Sequence, residues 1–147
     1  MTYRPGSDSS QNIRQECYSF VVPTVVEHPH FRPWLGSLPV TVAAKVVDGI
    51  EYLREHGRGA VLPDVRHRIQ ISRHFPDMSE VRADQLADGH RFVMRVLVCF
   101  VDEDQTLLIC IAGNKDGYEE RTGRDWYDDY VPVADQVVDT YHKGALR

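Results

Sequence analysis

Five residues in the second half of the chain could act together on a phosphate: Arg82, Arg91, Arg95, Lys115 and Tyr127. Arg82, Arg91 and Arg95 fall in a run, Met78 to Gly117, that reads as three consecutive β-strands joined by tight polar turns. Lys115 sits in the loop that closes it, Gly113-Asn114-Lys115-Asp116-Gly117, and Tyr127 follows in Asp125-Trp126-Tyr127-Asp128-Asp129-Tyr130. Guanidinium matches a phosphate with two parallel hydrogen bonds and stabilises charge building up on phosphorus. A tyrosine can stack on a base, or move a proton if cations lower its pKa. The same residues read otherwise as surface charge paired with Glu80 and Asp84, an ordinary glycine-flanked turn, and an aromatic anchor for the last helix.

Other residues offer weaker chemistry. Between His56 and His74 there are four arginines (Arg58, Arg66, Arg68, Arg73) and three histidines against the single acid Asp64. The stretch Asp116 to Asp139 holds eight acids against Arg121 and Arg124, so a phosphate would choose the first stretch. His67 and His74 in that basic loop could serve as general base or phosphate contacts, or be solvated loop histidines, and Arg73 is a further candidate for substrate contact. His28 and His30 flank a proline and lack a third partner, which argues against a metal. Asp125, Asp128 and Asp129 are more simply the acidic start of a helix than a two-metal site. No cofactor motif occurs: there is no phosphate-binding glycine-rich loop, no HExxH, no GxSxG and no CxxC.

These side chains must be held by a single domain. The chain has 147 residues, 42% hydrophobic, and a formal net charge of -5, which argues against nonspecific nucleic-acid binding by its whole surface. No window approaches the roughly 18 apolar residues of a membrane span. The polar start has no apolar signal segment, so residues 1–16 read as a flexible tail before a domain of residues 17–147. Cys17, Cys99 and Cys110 each lie in an apolar strand-like stretch, the mark of buried thiols in a reducing, cytoplasmic setting.

Periodicity predicts the order β–α–βββ–α, an α+β domain with a small, largely antiparallel sheet packed against an N-terminal and a C-terminal helix. Cys17 to Val26 is a strand with Pro23 at an edge or bulge. Glu27 to Ser37 is a connector. The first helix starts at Pro39, carries Ala43, Val46, Val47, Ile50 and Leu53 as its apolar stripe and ends at Gly57. Arg58 to Pro76 is a long loop with a short helical or extended piece. Ser79 to Ala83, His90 to Val101 and Thr106 to Ala112 are strands, the last two joined by a turn at Asp102 to Gln105. In the long strand Phe92, Met94, Val96, Val98 and Phe100 face the first helix, while Arg91 and Arg95 share the opposite face. Pro132 either opens the last helix or kinks one begun near Arg124.

Four fragments in this order resemble the RelE/HigB-type toxins, in the branch also called phage Gp49-like, of the RelE/ParE superfamily. Asp77-Met78-Ser79-Glu80-Val81-Arg82 resembles the family's x-M-K-E-L-R strand. Arg91-Phe92-Val93-Met94-Arg95-Val96-Leu97 resembles its R-x-x-R-V-L strand. Ile111 to Gly117 resembles its GGDKSG loop, and Trp126 to Asp135 its WYxxxIPxAD helix. The resemblance covers roughly Glu27 to Leu146 and implies a toxin of a type II toxin–antitoxin pair. Members are typically ribosome-dependent endoribonucleases (mRNA interferases) that inhibit translation. They cut by attack of a ribose 2′-OH on the adjacent phosphate, without a metal. Carried over by position, the resemblance implies that Arg82 holds the scissile phosphate, Lys115 helps with its charge and Tyr127 transfers a proton or stacks. It implies mRNA on the ribosome as substrate and an antitoxin partner, of the helix-turn-helix kind. The ParE branch instead inhibits DNA gyrase by protein contact, and a member that only binds its antitoxin is the remaining alternative. Ser79 stands where the family has lysine, and Asp84 and Asp88 put acids near the expected phosphate path.

Overall fold

The computed structural model describes residues 21–144. The ten elements are β1 (Thr24–Glu27), α1 (Phe31–Gly36), α2 (Val40–His56), a 3-10 turn (Gly57–Gly59), β2 (Val65–Arg66), β3 (Met78–Ala87), β4 (His90–Val101), β5 (Thr106–Asn114), α3 (Tyr118–Thr122) and α4 (Trp126–His142). They form one five-stranded sheet of order β1-β5-β4-β3-β2. The β2–β3, β3–β4 and β4–β5 pairs are antiparallel, and β1 lies parallel to β5. This is the expected α+β architecture.

The sheet has two covered faces, and the alternation of β4 sorts residues between them. Met94, Val96, Val98 and Phe100 join Val42, Val46, Ile50 and Leu53 of α2 in one core. Leu97, Cys99 and Val101 join Met78, Leu108, Cys110 and the apolar side of α4 in the other. Both predicted faces of the long strand are therefore as read. One irregularity re-aims β5: Leu97 pairs with Ile111 but Val98 with Ile109, so Cys110 is the additional residue of a β-bulge.

Several boundaries differ from the sequence expectation. The part of the first strand before residue 21 lies outside the described residues; what is described starts at Thr24, directly after Pro23, on a sheet edge. The connector after it contains α1, because Phe31 is buried and Trp34 and Leu35 pack against the α2 core. Its Pro33 falls in the first turn, where no intrahelical bond is lost. The stripe of α2 is Val42, Val46, Gly49, Ile50 and Leu53, whereas Val47 is 42% exposed. Gly49 is there for proximity: a Cβ on it would stand 2.6 Å from Val81 Cγ1 of β3. β3 runs to Ala87 rather than Ala83, since its pairing with β4 continues through polar Asp84 and Gln85 to Ala87↔His90. Asp88 and Gly89 then turn the chain with φ of 53° and 75°, the left-handed pair that suits a two-residue hairpin. α4 begins at Trp126, with the Asp125 carboxylate accepting from Tyr127 N at 3.0 Å, and carries Pro132 within it. No helix among the described residues is long and apolar enough to cross a membrane.

Candidate nucleic-acid interface

The face of the sheet under α4 changes character along its length. One end is the apolar core just described. At the other end the inward residues are Glu80, Arg82 and Asp84 of β3 and Arg95 of β4, with Arg66 of β2 alongside. The first turn of α4 lays Tyr127 over them. Arg66 lies over the Tyr127 ring at 5.2 Å and the Lys115 ammonium at 5.7 Å, both measured to the ring centroid. Trp126 meets the same ring edge-on at 5.2 Å. Gly113 permits this roof, since a Cβ on it would come within 3.1 Å of Trp126 and Tyr130. Lys115 is held at the rim because its amide donates to Val93 O at 2.8 Å, which prolongs the β4–β5 ladder by one bond.

Glu80 is the hub of the cluster. It is wholly buried, with its carboxylate 3.0 Å from Arg66 Nε, 3.8 Å from Arg82 Nε and 3.9 Å from Arg95 Nε. Arg95 is buried too, donating to Asp84 Oδ1 at 2.7 Å and to Met94 O at 2.9 Å. Three arginines thus gather on one buried carboxylate, and Arg66 and Lys115 also flank a half-buried phenol. Burial, and next the Glu80 carboxylate, push the Tyr127 phenol above its ordinary pKa, with Arg95 opposing. This corrects the expectation that nearby cations would lower it: the carboxylate is the charge they converge on. The phenol is therefore a protonated donor near neutral pH.

Of the eight residues read as site candidates, Arg82, Lys115, Tyr127 and Arg95 meet here. Arg91 lies at the rim, 67% exposed and 3.9 Å from Asp116, beside Lys115 in a depression of about 200 Å³. On the opposite side of Tyr127 an open groove of about 670 Å³ is lined by Arg66, Arg68, Ile71, Asp125 and Asp128. His67 lines this groove as well, whereas Arg73 and His74 are elsewhere. Arg73 Nη2 and His74 Nε2 both bond Asp139, at 2.7 Å and 2.9 Å. Asp139 is twelve residues beyond Tyr127 on α4, about 18 Å along its axis. The His67 ring bonds Ser79 Oγ and Ala60 O, both at 2.8 Å, and locks the Gly57–Gly59 turn to β3. Neither of its nitrogens is free to take a proton from substrate.

The basic stretch His56 to His74 does not survive as a patch in space. Arg58 pairs with Asp104 and Asp77, Arg66 with Glu80 and Arg73 with Asp139, while Arg68 stacks on Phe75 at 4.8 Å. Carboxylates remote in sequence neutralise what looked like a run of cations. Arg66 and Glu80 are the site residues that sequence reasoning missed. Glu80 had been read only as a neighbour for Arg82, and Arg66 as one of a basic loop. The signal for Glu80 was alternation: Glu80 and Arg82 are two apart on one strand, so they share a face. His28 and His30 stack on each other at 4.8 Å, and no group of three metal-type ligands is assembled among the described residues.

No protein-family model matches the chain, and no curated protein matches it. Among solved structures, a mutant of the E. coli toxin RelE in the free state is similar at 12% identity and a TM-score of 0.47. The alignment covers 69% of this chain and 93% of that one.

Proposed function

We propose that the protein is a metal-independent endoribonuclease toxin of a type II toxin–antitoxin pair, acting on mRNA at the ribosome. The observation that supports this reading is the gathering of Arg66, Arg82 and Arg95 on Glu80, with Arg66 and Lys115 over the Tyr127 ring, at the polar end of the α4 face. In the reading, the exposed end of Arg82 grips the scissile phosphate and Lys115 balances the charge that develops as the 2′-hydroxyl gives its proton to solvent water and its oxygen attacks phosphorus. Tyr127, protonated, donates to the leaving 5′-oxygen. Arg95, buried and tied to Asp84, holds the cluster from beneath rather than touching RNA. Arg91 and Arg66 line the two depressions on either side of Tyr127, where the flanking nucleotides would lie. The partners under this reading are the ribosome, its mRNA and a cognate antitoxin, in the cytoplasm.

One observation favours a second reading. Glu80 and Asp84 already neutralise much of the arginine charge, which suits a toxin that works by protein contact, as a gyrase inhibitor would, or one that only binds its antitoxin. Inducible expression of wild type and Arg82→Ala in a bacterial host, with primer extension on a translated message, separates them. Growth arrest with in-frame cuts that Arg82→Ala reduces about 100-fold or more supports the nuclease. Arrest without cuts moves the assignment to a protein target, and no arrest at all to a dedicated binding member.

A further inference from the structure

The outer edge of β3 is only half used. β2 pairs with it at Val65↔Val81 and Arg66↔Glu80, and Arg82 N donates to Asp64 O at 2.8 Å. β2 and its approach cover nothing further, yet β3 continues to Ala87. Even-numbered residues of β3 turn their backbone groups outward, as the Arg82 bond shows, so those of Asp84 and Leu86 also point away from β4. Among the described residues, the Asp84 N–H and C=O and the Leu86 N–H have no partner, and the Leu86 carbonyl has only the Gln85 side-chain amide at 3.4 Å.

Edges are normally guarded by charges pointing outward or inward, by a proline or by a bulge, and Asp84 supplies an inward charge on this stretch. Here the Asp84 carboxylate is turned inward to Arg95, and Leu86 is 74% exposed. A depression of about 190 Å³ runs along this edge, lined by Lys45, Pro63, Asp64, Arg82 and Asp84. Lys45 lies on the α2 side of the sheet and Arg82 on the α4 side. With Asp84 committed to Arg95, the lane keeps two cations, Lys45 and Arg82, against one acid, Asp64, and is net positive.

We propose that this edge is a docking site for one extended segment of a partner protein, which adds a strand beside Arg82–Ala87. Adjacent side chains of an added strand point to opposite faces. The geometry selects a segment with two adjacent acids, one turned to Lys45 and one to Arg82, and an apolar residue against Leu86. The lane shares Arg82 with the Tyr127 cluster, but the strand addition rests on the open backbone groups of Asp84 and Leu86 and does not depend on the nuclease reading.

The test uses the whole protein and two synthetic octapeptides, each of valines with a central pair of glutamates or of lysines. Backbone amide NMR is followed during titration. The glutamate peptide is expected to shift the Asp84 and Leu86 amides and slow their hydrogen exchange at least tenfold, and the lysine peptide to leave both unchanged. Leu86→Pro removes the outward N–H without taking a bond from the β3–β4 ladder, so it is expected to melt as wild type does and lose the effect. No shift with the glutamate peptide, equal shifts with both, or an undiminished effect in Leu86→Pro overturns the proposal. Self-association of the protein alone that Leu86→Pro abolishes overturns it in favour of a second copy as occupant.

Discussion

Replacing Glu80 by glutamine tests the hub directly. The substitution keeps the shape and one acceptor oxygen but removes the charge. Glu80 is fully buried, and three guanidinium groups stand 3.0, 3.8 and 3.9 Å from it. Taking away one partner of a buried ionic group costs about 3–5 kcal/mol, because the remaining charge is stranded. Two features lower that figure. The Arg66 side chain is 43% exposed and Arg82 34%, so both regain water. Arg95 keeps its bond to Asp84. The expected loss is about 2 kcal/mol, which at a slope of about 2 kcal/mol per molar moves the urea midpoint down by about 1 M. A second readout comes from the neighbouring phenol. The Glu80 charge is one of the causes that raise Tyr127, so in Glu80→Gln the phenolate absorbance should develop at lower pH, nearer the ordinary value of 10.0. An unchanged urea midpoint together with an unchanged tyrosine titration refutes the reasoning. It would mean that the arginines are independently solvated and that Glu80 does not organise them.

Gly49→Ala should lower stability by about 1–2 kcal/mol despite a helix-propensity gain of about 1 kcal/mol, since the new methyl meets Val81 Cγ1 at 2.6 Å and Val81 is fully buried. Calorimetry checks it, and in a Val81→Ala background the same change should be neutral or favourable. Arg73 and His74 hold the Asp139 carboxylate below its ordinary pKa of 3.8, so the stability they provide is present above that value and is lost as pH falls through the depressed one. Acid titration of Asp139→Asn should show a shallower fall below about pH 4 than wild type. Burial pushes the Cys99 thiol up to about 12 and Cys110 well above 9.0, so neither should alkylate in the native protein at pH 8 while both do in urea, as mass spectrometry of the labelled peptides will show.

What could be read from the sequence was what repeats locally. The alternation in His90–Val101 placed its two faces, because a strand buried on both sides must put every second residue in the same core. The glycine after His56 and the proline before Val40 bounded α2. The stripe differed at two places, Val42 for Ala43 and Gly49 for Val47, and Gly49 carries no hydrophobic signal although α2 lies so near β3 there that a Cβ would meet Val81. At the site, Arg82, Arg95, Lys115 and Tyr127 were legible from strand parity and from their order along the chain. Arg66 was not, since only tertiary pairing of a two-residue strand brings it to Glu80. Arg73 and His74 were drawn in by their basic surroundings. Their true partner, Asp139, lies 66 and 65 residues away, beyond any local pattern.

The parallel pairing of β1 with β5 has a consequence for how the chain is made. Among the described residues, Thr24–Glu27 pairs with Thr106–Ile109, roughly eighty residues downstream. At synthesis rates of about 5–20 residues per second, the first of these strands waits some 4–16 seconds before its partner exists. The β3–β4 hairpin, linked by a short turn, can close meanwhile, and β1 docks only once β5 has joined it. A ribosome that stalls before Thr106 therefore holds a nascent chain whose β-branched Thr24-Val25-Val26 segment has no strand to join.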